Sequence, residues 1–183
     1  MSQEKIILGI DPGTNVMGYG IIEVAKGKIR LLECNVLKLK STLSHEVKLK
    51  KIFERVTELI EEFIPDEIAL EAPFYGKNVQ SMLKLGRAQG VAMAAALVKE
   101  IPIKEYAPKK IKQSITGNGN ASKEQVAAML HTILPLKLKT TLLDATDALA
   151  VAICHHFHGI GGKTKSKKTW ESFIQENPNR IKK

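Results

Sequence analysis

The feature that most constrains this chain lies near its start, where a continuous apolar run, Ile6 to Ile10, halts at Asp11-Pro12-Gly13 and a second apolar run, Met17 to Val24, follows. Asp-Pro-Gly is a turn signal, so the two runs read as a strand, a turn and an antiparallel strand. A third stretch, Lys28 to Lys40, mixes Ile, Leu and Val with charges, as a partly exposed strand does. From Ser44 the period changes. Leu49, Ile52, Phe53, Val56, Leu59, Ile60 and Phe63 recur three and four apart, which predicts an amphipathic helix ending before Pro65. Glu67 to Leu70 then reads as a short buried strand with Glu71 at its end, closed by Ala72-Pro73.

Beyond it the pattern predicts a helix from about Val79 to Lys99 and a strand from Ile103 to Tyr106. A helix opening on Pro108, which suits a first helical position, breaks at Gly117-Asn118-Gly119-Asn120. Ser122 and Gln125 have capping-box spacing for a helix through Leu134, with Pro135 beyond, and Thr141 and Asp144 have the same spacing before a last helix, about Leu142 to Phe157. Meandering strands followed by alternation with helices predict an α/β fold, a mixed five-stranded sheet flanked by helices.

A length of 183 residues and 44% hydrophobic content suit one well-packed domain, expected over residues 1–158. Residues 159–183, rich in Gly, Lys and Ser at their start, read as a basic, flexible tail. The net charge of +9 points to an anionic partner, nucleic acid foremost. Lys163 to Lys183 carries seven Lys or Arg against two Glu, so +5 of that excess sits in the tail. Cys34 and Cys154 have no metal-site or disulfide-framework spacing, which fits a reducing compartment. The first residues lack the layout of a secretory signal, and the longest uncharged apolar stretch, Val91 to Val98, is too short to span a bilayer. A soluble, cytoplasmic protein with no membrane partner is expected.

Four carboxylates carry the candidate chemistry. Asp11 and Glu71 both end apolar strands, where an ionised carboxylate is poorly solvated unless a cation or donors meet it. Asp144 and Asp147, three apart in an otherwise apolar helix, share one helical face. Each has a plainer reading: Asp11 as a turn former, the helical pair as partners of the positive helix N-terminus. Together they fit hard divalent cations, Mg²⁺ or Mn²⁺, and metal-dependent phosphodiester hydrolysis, in which two metals serve the attacking water and the leaving oxygen. Lys104, Lys109, Lys110, Lys112 and Lys123 are candidate backbone contacts, or simply a solvated face. Phe74 and Tyr75, beside Lys77 in a loop, could stack on unpaired bases or close a core. Gly86 and Gly90, with Met82, Leu85, Met93, Ala94 and Leu97, make a smooth helix face for intramolecular packing or for a dimer. His155, His156 and His158 crowd the end of the last helix, where they complement its dipole better than they bind metal.

On these residues the chain resembles the RuvC family of crossover junction endodeoxyribonucleases, Holliday junction resolvases with an RNase H-like fold. The blocks are GIDPGTNVMGYGII, EAPFYGKNVQSMLKLGRAQG, EYAPKKIKQSITGNGNASKEQV and DATDALAVAICH, within Ile6 to His158. The resemblance implies that Asp11, Glu71, Asp144 and Asp147 are catalytic acids holding Mg²⁺, two ions per subunit, with Mn²⁺ able to substitute. It further implies that Phe74 engages bases at the junction centre, that Lys112 and Lys123 lie near the cut phosphate, and that the helix of Gly86 and Gly90 makes a homodimer. Some family members have His where this chain has Asp144. Implied too are four-way junction DNA as substrate, RuvA and RuvB as partners, and paired nicking of two strands of like polarity in recombination and repair, leaving 5′-phosphate and 3′-hydroxyl ends. Two other readings stand beside it: an actin-like sugar kinase or ATPase, from Asp11-Pro12-Gly13-Thr14, and a junction-binding module that does not cut.

Overall fold

The computed structural model describes residues 4–73, 78–134 and 143–160. Five strands form one sheet: β1 (Lys5–Asp11), β2 (Val16–Ala25), β3 (Lys28–Lys38), β4 (Glu67–Glu71) and β5 (Ile103–Tyr106), in the order β3-β2-β1-β4-β5. The three strands joined by short turns pair antiparallel. β4 and β5, each reached through a helix, pair parallel to β1 and to one another. The mixed five-stranded sheet is the one expected.

Alternation along the strands makes two cores. Leu8 and Ile10 of β1, with Ile68 and Leu70 of β4, pack under α1 (His45–Phe63) and α2 (Val79–Val98). Ile7 of β1 and Ala69 of β4 face the opposite side, under α3 (Pro108–Thr116), α4 (Lys123–Ile133) and α5 (Leu143–Ile160). Asp11 and Glu71 keep the parity of Ile7 and Ala69, so both carboxylates belong to the α5 side, at the carboxyl ends of two neighbouring parallel strands.

The helix signals of the sequence appear as caps. Ser44 accepts from the Val47 amide, Pro108 opens α3, and Ser122 and Gln125 form a reciprocal capping box. The Thr141 cap lies outside the described residues, as do Phe74, Tyr75, Lys77 and residues 161–183. α5 runs through Gly159 to Ile160, past the expected end at Phe157.

Two helix faces differ from expectation. In α1, Phe53 is 37% exposed while Lys48 is buried, because Phe53 lies about 100° around the helix from the fully buried Ile52. In α2 the buried face is Ala88, Gln89, Ala92, Ala95 and Ala96, and a methyl added at Gly86 or Gly90 would meet nothing within 4 Å. The glycines therefore do not serve intramolecular packing. α2 is apolar on nearly every side, and periodicity alone could not select its inward face.

Among the described residues no helix is long and apolar enough to cross a membrane. Both cysteines are free, and Cys34 donates to the Ala145 carbonyl at 3.2 Å.

Candidate active site

Close approach of α5 to the sheet positions the carboxylates. An ideal Cβ on Gly18 would stand 2.1 Å from the Asp144 carbonyl oxygen, and one on Gly9 would stand 2.3 Å from that of Ala148. Only glycine lets the helix lie this low, and the first turns of α5 thereby reach the end of β1. Asp11, Glu71 and Asp147 line one cleft with Lys112 and Lys123, and Asp144 stands at its edge, 3.7 Å from the Lys123 Nζ. The four acids, scattered over the sequence, are thus neighbours.

Electrostatics show how crowded the cleft is. Burial, reinforced by the charges of Asp147 and Asp144 and opposed by Lys123, raises the Asp11 carboxyl from its ordinary 3.8 to about 7. Burial and repulsion from Asp11 and Asp147 raise Glu71 to about 8, against the pull of Lys123 and Lys112. Lys123 donates to Asp147 Oδ2 at 2.5 Å; burial disfavours its charge, but that bond and the surrounding acids outweigh it and raise its pKa. Among the described residues no three His, Cys, Asp or Glu side chains stand close enough to hold an ion as they are. Mutual repulsion keeps carboxylates apart, and the Lys123 ammonium takes up the charge of the helical pair. The donor set nonetheless fits a hard divalent cation: four carboxylates, two of them raised by burial and by one another's charge to about 7 and about 8.

The other candidates divide. Lys112 lines the cleft from α3. Lys109 is exposed and outside that lining, Lys104 is exposed on β5, and Lys110 lies over the Tyr106 ring at 5.4 Å. His155 bonds the Tyr106 hydroxyl at 2.8 Å and also Glu67, which in turn pairs with Lys5, so this histidine ties α5 to β4 and β5. His158 Nδ1 contacts the Cys154 carbonyl within the helix at 2.8 Å.

Sequence reasoning missed Gln89. It is 6% exposed, lines the approach to Asp11 and Glu71, and donates from Nε2 to Glu105 Oε2 at 2.7 Å. Its signal was an uncharged polar residue set between Ala88 and Gly90 in the small-residue part of α2.

The comparisons with known proteins bear on the whole chain. The family model for crossover junction endodeoxyribonuclease RuvC matches residues 7–155. A protein of that name from Cytophaga hutchinsonii is 62% identical, over 98% of this chain and 89% of the relative. One from Christiangramia forsetii is 58% identical, over 100% and 95%. Among solved structures, T. thermophilus RuvC in complex with Holliday junction substrate superposes with TM-score 0.80 at 33% identity, covering 86% of this chain and 96% of that one. Yeast mitochondrial Holliday junction resolvase Ydc2, at 15% identity over 93% of this chain and 83% of its own, shares the fold with TM-score 0.66.

Proposed function

The chain belongs to the RuvC family of crossover junction endodeoxyribonucleases, and from that premise we propose that Asp11, Glu71, Asp144 and Asp147 form the metal-dependent centre with which it resolves four-way DNA junctions in recombination and repair. Membership sets aside the sugar kinase and the non-cutting binding module. The observation that carries the site is the crowding of two strand-end and two helical carboxylates around one lysine, at a cost that raises two of the acids to near or above neutral.

Mg²⁺ is the cofactor that suits this oxygen donor set, two ions per subunit, with Mn²⁺ as a substitute. When bound, such ions would be held by Asp11, Glu71, Asp144 and Asp147 and would supply Lewis acidity for the attacking water and the leaving 3′-oxygen. Asp11 and Glu71, fixed on adjacent strand ends, set where the phosphate sits, and Asp144 and Asp147 enclose it from α5. Lys123 and Lys112, which line the cleft beside the acids, meet the non-bridging phosphate oxygens. The products are a 5′-phosphate and a 3′-hydroxyl.

Resolution requires two such cuts, hence two sites. α2 presents Val79, Leu83 and Leu97, 64%, 53% and 62% exposed, on the same side as Gly86 and Gly90, and this apolar stripe supports a homodimer through α2. Phe74, Tyr75 and Lys77, which follow Glu71 closely in the sequence, engage unpaired bases at the junction centre, and Lys109 contributes charge along the duplex. RuvA and RuvB are the partners, the nuclease domain expected over residues 1–158 extends with α5 to Ile160, the basic residues beyond it add positive charge, and the cytoplasm is the compartment.

A synthetic four-way junction incubated with Mg²⁺ and the wild-type chain should give paired nicks, and Asp147→Asn should cut at least about a hundredfold more slowly, since losing even outer partners of metal ligands costs 10–100-fold. Undiminished cutting by both Asp11→Asn and Asp147→Asn refutes the site.

A further inference from the structure

On the α1/α2 side of the sheet, a groove separate from the cleft opens between the β1–β2 turn, the β3–α1 loop and α2, and it is lined by Thr14, Ser41, His45, Lys48, Ser81 and Lys84. These are three hydroxyls, two ammonium groups and an imidazole, with no carboxylate among the lining residues. Lys48 is only 9% exposed, and its ammonium bonds the neutral side-chain oxygen of Asn15 at 3.0 Å rather than a carboxylate. A lysine so buried is normally paired with an acid, because a desolvated charge is costly until a counter-charge meets it. His45 Nε2 is buried and has no hydrogen-bond partner among the described residues. His45 opens α1 and Ser81 lies in the first turn of α2, so two helix N-termini add positive potential to the groove. The groove shares Leu85 with the approach to Asp11 and Glu71, so it adjoins that approach, whose lining does not include Lys112 or Lys123.

We infer that this groove is a second phosphate subsite, in which Lys48 and Lys84 hold a backbone phosphate of the DNA strand flanking the one that is cut. The inference rests on the DNA-cutting reading above. It adds that the strand is gripped on both sides of the carboxylates, by Lys112 and Lys123 on one side and by this groove on the other. Such a grip fixes the scissile phosphate along the strand axis, which the four carboxylates by themselves do not do.

The test measures binding of a labelled four-way junction to the full chain in EDTA across a series of salt concentrations, for wild type, Lys48→Met, Lys84→Gln and the control Lys50→Gln. Lys50 is exposed on α1 and outside the groove. Loss of one phosphate contact should lower the slope of log K against log salt by about 0.9 and weaken binding roughly fivefold at 0.15 M salt. We expect that change for Lys48→Met and Lys84→Gln, with Lys50→Gln unchanged. Thermal unfolding checks that Lys48→Met folds; if it does not, Lys84→Gln, altered at an exposed position, decides alone. Wild-type affinity and slope in the groove variants would overturn the inference while leaving junction cutting intact. Inorganic phosphate that raises the melting temperature of wild type but not of Lys48→Met, with equal junction slopes, would also overturn it, in favour of a free-anion site. A wild-type chain that does not bind the junction sinks the functional reading itself.

Discussion

Replacing Asp11 with Asn should abolish cutting and yet stabilise the metal-free protein. Burial and the neighbouring acids raise the Asp11 carboxyl from 3.8 to about 7, so between those values the native state holds a proton that the unfolded chain releases. Stability therefore falls as pH rises from about 4 to about 7, and above that the full cost of the ionised carboxylate is present. At about 1.4 kcal/mol per pH unit the shift is worth at most ~4 kcal/mol at pH 8. Relaxation of the cleft and entry of water should leave about half of that, ~2 kcal/mol. Asn keeps the shape without the charge. Its melting temperature in EDTA at pH 8 should exceed that of wild type by roughly 4–8 °C, at the 2–4 °C per kcal/mol usual for a chain of this size. At pH 5, where Asp11 is protonated in the folded wild type but ionised in the unfolded chain, the gap should shrink to roughly 40% of its value at pH 8. Adding Mg²⁺ at pH 8 should raise the wild type and leave the variant nearly unmoved, because only a site that binds the ion gains from mass action. Calorimetry at the two pH values reads all three effects. An Asn variant no more stable than wild type at pH 8, or one whose advantage is the same at pH 5, would refute the account of a site strained by its own charge.

Gly18→Ala, whose methyl would collide with the Asp144 carbonyl, should push α5 off the sheet, costing about 1–3 kcal/mol in a urea unfolding titration and most of the cutting activity. Leu83→Glu, placed on the exposed stripe of α2, should halve the mass seen by light scattering and turn paired cuts into single nicks; a mass unchanged from wild type would remove α2 from the interface. His155→Ala leaves the Tyr106 hydroxyl and Glu67 without their shared partner and should lower stability by about 1–3 kcal/mol in the same titration, with junction binding preserved.

Local chemistry was legible in the residues. Asp-Pro-Gly closes its turn, Ser44 and the Ser122 and Gln125 pair cap helices, and Pro108 opens one, all through contacts within a few positions, so spacing sufficed. The mixed sheet followed from short turns making antiparallel pairs and helical crossovers making parallel ones. The four carboxylates stood out because strand ends and apolar helices are poor homes for charge. What spacing could not reveal were the partners. Lys123 reaches Asp147 across 24 positions, Gln89 reaches Glu105 from another element, and His155 meets Glu67 across 88 positions, so its role as a tie to the sheet was invisible in a cluster of histidines.

The sequence by itself thus determined which elements form, which residues are candidates for the chemistry and, through its blocks of family residues, what substrate to expect. Tertiary structure decided which face each element shows. Gly9 and Gly18, ordinary members of apolar strands in one dimension, let α5 descend onto the sheet and bring its acids to the ends of β1 and β4. The glycines of α2 turned outward while its alanines entered the core shared with α1, and Lys48 went inward beside a groove that no spacing announces. The physical reason is common to these cases: capping and turn formation act over a few residues, whereas packing and Coulomb interactions depend on distances that only the folded chain sets.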